Sequence, residues 1–535
     1  MATINDVVYS SQQQIYSRWA SEKEIKSSLY EVNFNDDNPQ YGGIPVFADN
    51  GSIYINSSDS HSLVIGATGS KKTRLIGMPA LWSYAKAGES FIATDPKAEL
   101  YERTLPMLEK QGYHVFILNL RDPLFSNGWN PLLVPYHLYH NGKRDKAIEL
   151  VNDMSSCIAK AEYDRDPYWQ NSAADLLAGL ILILFECAQD SEINFKSLRT
   201  LRTQAFRIVM NGIPFIQENF IKHLDSSSFI CSLLSGTVEV CDSTRGCIVS
   251  VFDQAVRPFF NQDNLINMLS SNDLDMTSIG KEKTAVFLLV PDENTLYHRL
   301  VSVFIKQCYT ELILEAQKHP LKTLPHRVNF LLDEFSTLPQ ISDFPTMITA
   351  SRSRNIRFNL IVQSINQLLD RYGRQAETIM GNCENLMFLH SREFSLLDNL
   401  SNLSGMRNHE EPLASVSMLQ TLNKDIGETF VLYKRLHPFI ASLPDIDCYP
   451  SISHEEVHIS YPKNIQKALS VFDFKSFCRN NNSTFLSNLF SGKTLEEIRE
   501  ISNEEEEIFF MSNEDDEEDD DNDEYKTNFT MDWED

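Results

Sequence analysis

The chain has no paired cysteines. Its nine cysteines (Cys157, Cys187, Cys231, Cys241, Cys247, Cys308, Cys383, Cys448 and Cys478) stand singly, and no two are spaced as C-x-x-C. An odd, scattered set argues against a zinc ribbon or a disulfide framework and fits a reducing compartment. Positive charge is also scarce: 47 Lys and Arg face 74 Asp and Glu, for a net charge of -27. The stretch Glu504–Asp535 holds 17 acidic residues and one lysine, so it carries -16 and leaves -11 on the rest. A body that is still acidic has no general attraction for nucleic acid and must confine any such contact to a local basic surface. Long apolar runs are few. The most apolar, Leu176–Phe185, is closed by Asp175 and Glu186. It is too short to span a bilayer and predicts a buried core helix. Met1–Asp6 lacks the basic and apolar regions of a signal peptide. The expectation is a cytoplasmic chain whose membrane role, if it has one, comes through a partner.

Short strands and helices alternate after Gly42. Pro45–Ala48 and Ser52–Ile55 flank Asp49-Asn50-Gly51, a hairpin signal. Leu63–Ile65, Ser90–Thr94 and Val115–Asn119 read as strands with helices between them. From about Lys143 to Ser271 the period becomes helical, over Leu150–Ala161, Ser172–Cys187, Phe195–Met210 and Val249–Met268. Strand patterns return at Thr284–Val290, Val328–Leu332, Arg357–Gln363 and Leu386–Leu389. The prediction is an α/β fold, a mostly parallel sheet with helices on both faces, interrupted by an all-helical domain. The expected division is an N-terminal arm (1–42, outside the core), a first part of the α/β domain (43–142), the helical domain (143–271), a second part of the α/β domain (272–470), a C-terminal segment (471–503) and an acidic disordered tail (504–535).

Ser62–Arg74 reads S-L-V-I-G-A-T-G-S-K-K-T-R: a strand, a glycine turn, then Lys-Thr. This is the layout of a P-loop, whose backbone N–H groups face phosphate at a helix N-terminus. Gly66 opens the loop, which continues through Ala67, Thr68, Gly69, Ser70, Lys71, Lys72, Thr73 and Arg74, the expected nucleotide-binding set. Gly69 permits the turn, Lys72 is placed to reach the terminal phosphates, and the Thr73 hydroxyl to hold magnesium. Lys71 stands where the usual pattern has its second glycine. A lysine there need not abolish binding if its φ is negative, and its ammonium can add attraction; it can equally crowd the β-phosphate and slow turnover. Far along the chain, the apolar strand Val328–Leu332 ends in Asp333-Glu334. At a strand's C-terminal end, Asp333 is expected to hold magnesium and Glu334 to polarise the attacking water.

These motifs, with others in order, resemble the coupling ATPases of conjugative type IV secretion systems, the TraG/TraD-like family of RecA-like P-loop NTPases. Thr94-Asp95-Pro96-Lys97-Ala98-Glu99-Leu100 is similar to the family's D-P-K-G-E element, with Ala98 in the place of glycine. Asn130-Pro131-Leu132, Pro291-Asp292, Leu332-Asp333-Glu334-Phe335 and Val362-Gln363-Ser364 with Gln367-Leu368 match further motifs, and the likeness spans roughly residues 43–440. The resemblance implies an ATPase using ATP and Mg2+ in a homohexameric ring. Arg352 would reach a neighbour's γ-phosphate, with Arg354 its rival, and Gln363 would act as a sensor. Asp95, Lys97 and Glu99 would face the nucleotide or the ring lumen. The implied partners are relaxase-bound single-stranded DNA, relaxosome proteins and secretion-channel proteins. Most members carry N-terminal transmembrane helices, so a membrane-anchoring partner at the cytoplasmic face is expected here. Trp169 matches a family aromatic, but its residue pattern reads as a core tryptophan. Two other readings fit the same motifs: a nucleotide-binding scaffold with little hydrolysis, and an intracellular DNA-segregation or packaging ATPase.

Overall fold

The computed structural model describes residues 16–503, apart from 160–165, 210–211, 292, 294, 453–458, 465–467, 482, 492 and 494. The acidic tail and Asp292 therefore lie outside the described residues. Twelve strands are described: β1 (Tyr30–Asn33), β2 (Pro45–Asp49), β3 (Ser52–Ile55), β4 (Ser62–Gly66), β5 (Ser90–Thr94), β6 (His114–Asn119), β7 (Thr284–Leu289), β8 (Val328–Leu332), β9 (Ile356–Val362), β10 (Asn385–His390), β11 (Glu428–Tyr433) and β12 (Phe439–Ser442). Nine form one sheet in the order β12-β11-β10-β4-β9-β8-β5-β7-β6. Pairing is parallel from β10 to β6 and antiparallel where β11 and β12 extend the edge.

The parallel strands read as mainly apolar runs because both faces are covered, with buried polar breaks at Asn329, Arg357 and Asn359. On β4, Leu63 and Ile65 enter one core while Val64 enters the other; on β8, Val328, Phe330 and Leu332 oppose Leu331. One face packs under helix His298–Lys318 and the helices between Arg144 and Met268. The other packs under helices Met78–Ala87 and Glu99–Lys110 and a small antiparallel sheet of order β1-β3-β2. The hairpin β2–β3 pairs as its turn sequence predicts. The first segment differs from expectation. Its helix is Glu22–Ser28, set by a Ser21/Glu24 capping box, and Ile25 and Val32 are buried in the second core. Residues 22–33 are thus packed, not an arm outside the core.

Helix Pro167–Cys187 contains the apolar run and passes a length and composition test for a membrane crossing, yet its side chains from Leu176 to Cys187 are buried. Gly179 lets it approach its neighbour closely: a Cβ there would meet Leu234 Cδ2 at 2.5 Å. Asn130-Pro131-Leu132 is the joint between sheet and helices. Asn130 Nδ2 donates to the Ile193 carbonyl (2.6 Å), and Gln307 Nε2 donates to the Pro131 carbonyl (2.8 Å).

Candidate nucleotide site

The loop after β4 turns at Ala67–Ser70, where Gly69 takes φ +80°. Gly66 is required by close approach: a Cβ there would lie 2.4 Å from Ser70 Oγ and 3.0 Å from Lys72 Cγ. Lys71 has φ +64°, the left-handed conformation its missing glycine would have taken, and not the negative φ that would have made lysine unstrained. Its ammonium faces two C-terminal carboxylates, Asp445 at 3.6 Å and Asp425 at 4.0 Å. Ala98 repeats the substitution and the conformation, at φ +62°. A π-turn, Thr73–Gly77, then leads into helix Met78–Ala87.

Lys72 is buried, and its Nζ donates to the Gly66 carbonyl at 2.6 Å. Burial lowers its pKa, while Asp333 and Glu334 pull it back up. Strand β9 lies between β4 and β8, yet Thr68–Arg74, Asp95, Lys97, Glu99, Asp333 and Glu334 line one cavity of about 190 Å³. Lys97 and Glu99 therefore line the P-loop cavity, with Asp95. Asp333 ends β8 and accepts the Glu334 N–H at 2.9 Å, and burial pushes its pKa up to about 6. Asp95 ends β5, accepts the Tyr101 N–H at 2.8 Å, and is raised to about 7 by burial. Two buried carboxylates this costly to ionise, facing a lysine, suit a site that receives a cation.

Gln363 ends β9 and ties the loop to the acids. Its Nε2 donates to Glu334 Oε1 at 2.6 Å, and its Oε1 accepts from Thr68 Oγ1 at 3.0 Å. Glu334 itself has φ +55°. Ser336 Oγ donates to Gln367 Oε1 at 3.1 Å, so both signature glutamines brace the segment after Asp333.

The chemistry of this donor set fits a magnesium-bound triphosphate. The buried Ser70 hydroxyl has no hydrogen-bond partner among the described residues and lines the cavity, as a group facing a phosphate oxygen would. The profile of the family described as "Type IV secretory system Conjugative DNA transfer" matches residues 10–423. The chain belongs to that family. It is 22% identical over 376 residues to the type IV secretion system-coupling protein VirD4 of Bartonella henselae, covering 69% of this chain and 56% of that one. It is 23% identical over 418 residues to the conjugal transfer protein TraG of Escherichia coli, covering 73% and 64%. The chain thus spans 56% and 64% of the length of these two relatives. The solved structure of the plasmid coupling protein TrwB with a non-hydrolysable ATP analogue has a TM-score of 0.59 at 15% identity, covering 84% of this chain and 96% of that one. TrwB with ADP and Mg2+ superposes with a TM-score of 0.58. The P-loop NTPase fold is shared.

Other residues singled out by the family pattern lie elsewhere. Arg352 sits in a turn at the N-terminal end of β9, opposite Gln363, about 20 Å away by strand rise. It makes a bidentate pair with Glu384 at 2.6 and 3.3 Å and does not reach its own P-loop cavity. Arg354 instead donates to the Lys322 carbonyl at 3.1 Å. Trp169 is only partly buried, edge-on to Tyr168 at 5.1 Å, and is not a core tryptophan, as Trp82 and Trp129 are. Asp445 and Asp447, which sequence reasoning missed, grip Arg74. Arg74 Nε donates to Asp445 at 2.9 Å and Nη2 to Asp447 at 2.9 Å. Nothing local marks them, because they lie over 370 positions from their partner.

Proposed function

We propose that this chain is the ATP-driven coupling subunit of a conjugative type IV secretion machine, moving relaxase-bound single-stranded DNA toward the channel. The observation that carries the reading is the convergence of Lys72, Asp333 and Glu334 on one cavity, with Gln363 bridging Glu334 to the P-loop. Family membership and the nucleotide complexes of TrwB support it. In this reading the loop N–H groups, Ser70 and Lys72 hold the phosphates, and Thr73 and Asp333 would hold magnesium. When bound, magnesium neutralises charge developing on the transferring phosphoryl group. Glu334 accepts a proton from the attacking water, and Gln363 sets the direction of its carboxylate. Arg352, facing outward from the opposite sheet edge, acts on the nucleotide of a second copy in a closed ring, a hexamer by the family pattern. The ring works at the cytoplasmic face of the membrane through channel, relaxosome and anchoring partners.

The test is ATP hydrolysis measured with and without a single-stranded oligonucleotide. Wild type should be stimulated by DNA. Glu334→Gln should still bind nucleotide but lose at least about 10²-fold in turnover. Wild-type binding without turnover would leave the scaffold reading instead, with the left-handed Lys71 as its cause.

A further inference from the structure

The sheet edge opposite the P-loop holds a second charged cavity. It measures about 780 Å³ and is lined by Arg352, Lys434 and Arg435, with Glu384 and Tyr433 behind them. All its elements reach this edge for topological reasons. Arg352 precedes β9 and Glu384 precedes β10, while Lys434 and Arg435 follow β11, which runs antiparallel to β10. The Lys434 N–H donates to the Glu384 carbonyl at 2.9 Å, which fixes the turn after β11 beside the Arg352–Glu384 pair. Lys434 takes φ +48°, so this turn is held in a conformation that lysine rarely adopts. Glu384 already spends both oxygens on Arg352. Among the described residues no carboxylate lies within 4.0 Å of the Lys434 ammonium or the Arg435 guanidinium, although Lys434 lies over the Tyr433 ring at 5.1 Å. Three cations and one carboxylate make a local surplus of positive charge on a body that is otherwise acidic. Such a concavity concentrates the field that an anion meets.

We infer that Lys434 and Arg435 join Arg352 in a phosphate-binding cluster that acts in trans, on the triphosphate held in the P-loop cavity of a second copy of this chain. This rests on the proposed nucleotide function and adds residues to it. The cluster cannot serve its own cavity, which lies at the other end of β9. Glu384 is a positioning residue: it holds the Arg352 guanidinium flat against the turn until a phosphate competes for it. An open cation cluster at a subunit edge stabilises charge on a neighbour's phosphoryl group without a covalent step.

The double variant Lys434→Ala/Arg435→Ala should bind a fluorescent ATP analogue like wild type when dilute. Once assembled, it should hydrolyse ATP about 10²-fold more slowly. Mixing it one to one with Glu334→Gln should restore about a quarter of the wild-type rate, the share of head-to-tail interfaces pairing an intact site with an intact cluster. Mixtures that stay inactive although both variants assemble and bind nucleotide would overturn the inference. Loss of oligonucleotide affinity in the double variant, with turnover unchanged, would overturn it in favour of a DNA contact. Should wild type prove to lack turnover, the hydrolysis reading fails separately. The cluster is then decided by nucleotide affinity at high protein concentration, which should drop about tenfold in the double variant; equal affinity rejects it.

Discussion

Lys71 and Ala98 occupy positions where the family pattern has glycine, and both keep a glycine's backbone, at φ +64° and +62°. The fold over-determines these turns, so the side chain gives way and the turn does not. A left-handed non-glycine residue costs about 1–2 kcal/mol, while glycine returns about 0.5–1 kcal/mol of that as unfolded-state entropy. Ala98→Gly should therefore stabilise the chain by about 0.5–1 kcal/mol, read as a higher urea midpoint at unchanged slope. A lower midpoint would mean that Ala98 is unstrained. Lys71→Gly should gain less, because it also gives up the contact with Asp445.

The element that the sequence hides is the segment after β12. Arg74 binds Asp445 and Asp447, Trp82 Nε1 donates to the Pro450 carbonyl at 2.8 Å, and Trp82 meets Tyr449 edge-on at 5.4 Å. Burial alone would raise Asp445, but Arg74, with Lys71 behind it, brings it below the usual carboxylate range. This strap fixes the turn that leaves the P-loop. Asp445→Asn should cost about 1 kcal/mol and speed amide exchange over residues 73–78, leaving β8 unchanged. Equal protection in both proteins would show that the strap does not restrain the turn. Legibility follows the same physics. The central parallel strands announce themselves because burial on both faces demands mainly apolar runs, even with Asn329, Arg357 and Asn359 inside them. β1, β11 and β12 do not, since Tyr30-Glu31-Val32-Asn33 is half polar, β12 is a four-residue edge strand, and β11 lies between it and β10, placed by antiparallel pairing. The meeting of Lys72, Thr73, Asp333 and Glu334 around one cavity, with Gln363 bonded to Glu334, is legible in the motifs. Asp445 and Asp447, like Lys434 and Arg435, gain meaning only from tertiary approach.

At the scale of the molecule, the segment around Phe472–Phe474 returns to the helices in the middle of the chain. Phe474 sits edge-on to Phe215 and Phe220, at 5.9 and 5.3 Å, and the Phe472 N–H donates to Ser197 Oγ at 3.0 Å. Phe474 is fully buried in the core shared by the helices and the sheet. Phe474→Ala should therefore cost about 3–5 kcal/mol, measured by chemical denaturation. A cost under about 1 kcal/mol would show that the segment merely rests on the surface. The helix Pro167–Cys187 carries a different consequence, one of timing. Its covering partners, Phe229–Val238 and Asp242–Phe260, leave the ribosome up to about 70 residues later, a delay on the order of 4–15 s. During that interval a stretch greasy enough for a bilayer travels without these covers, so the newborn chain needs a chaperone's grip or quick partners in Leu133–His140 and Arg144–Ala159, neighbours already made.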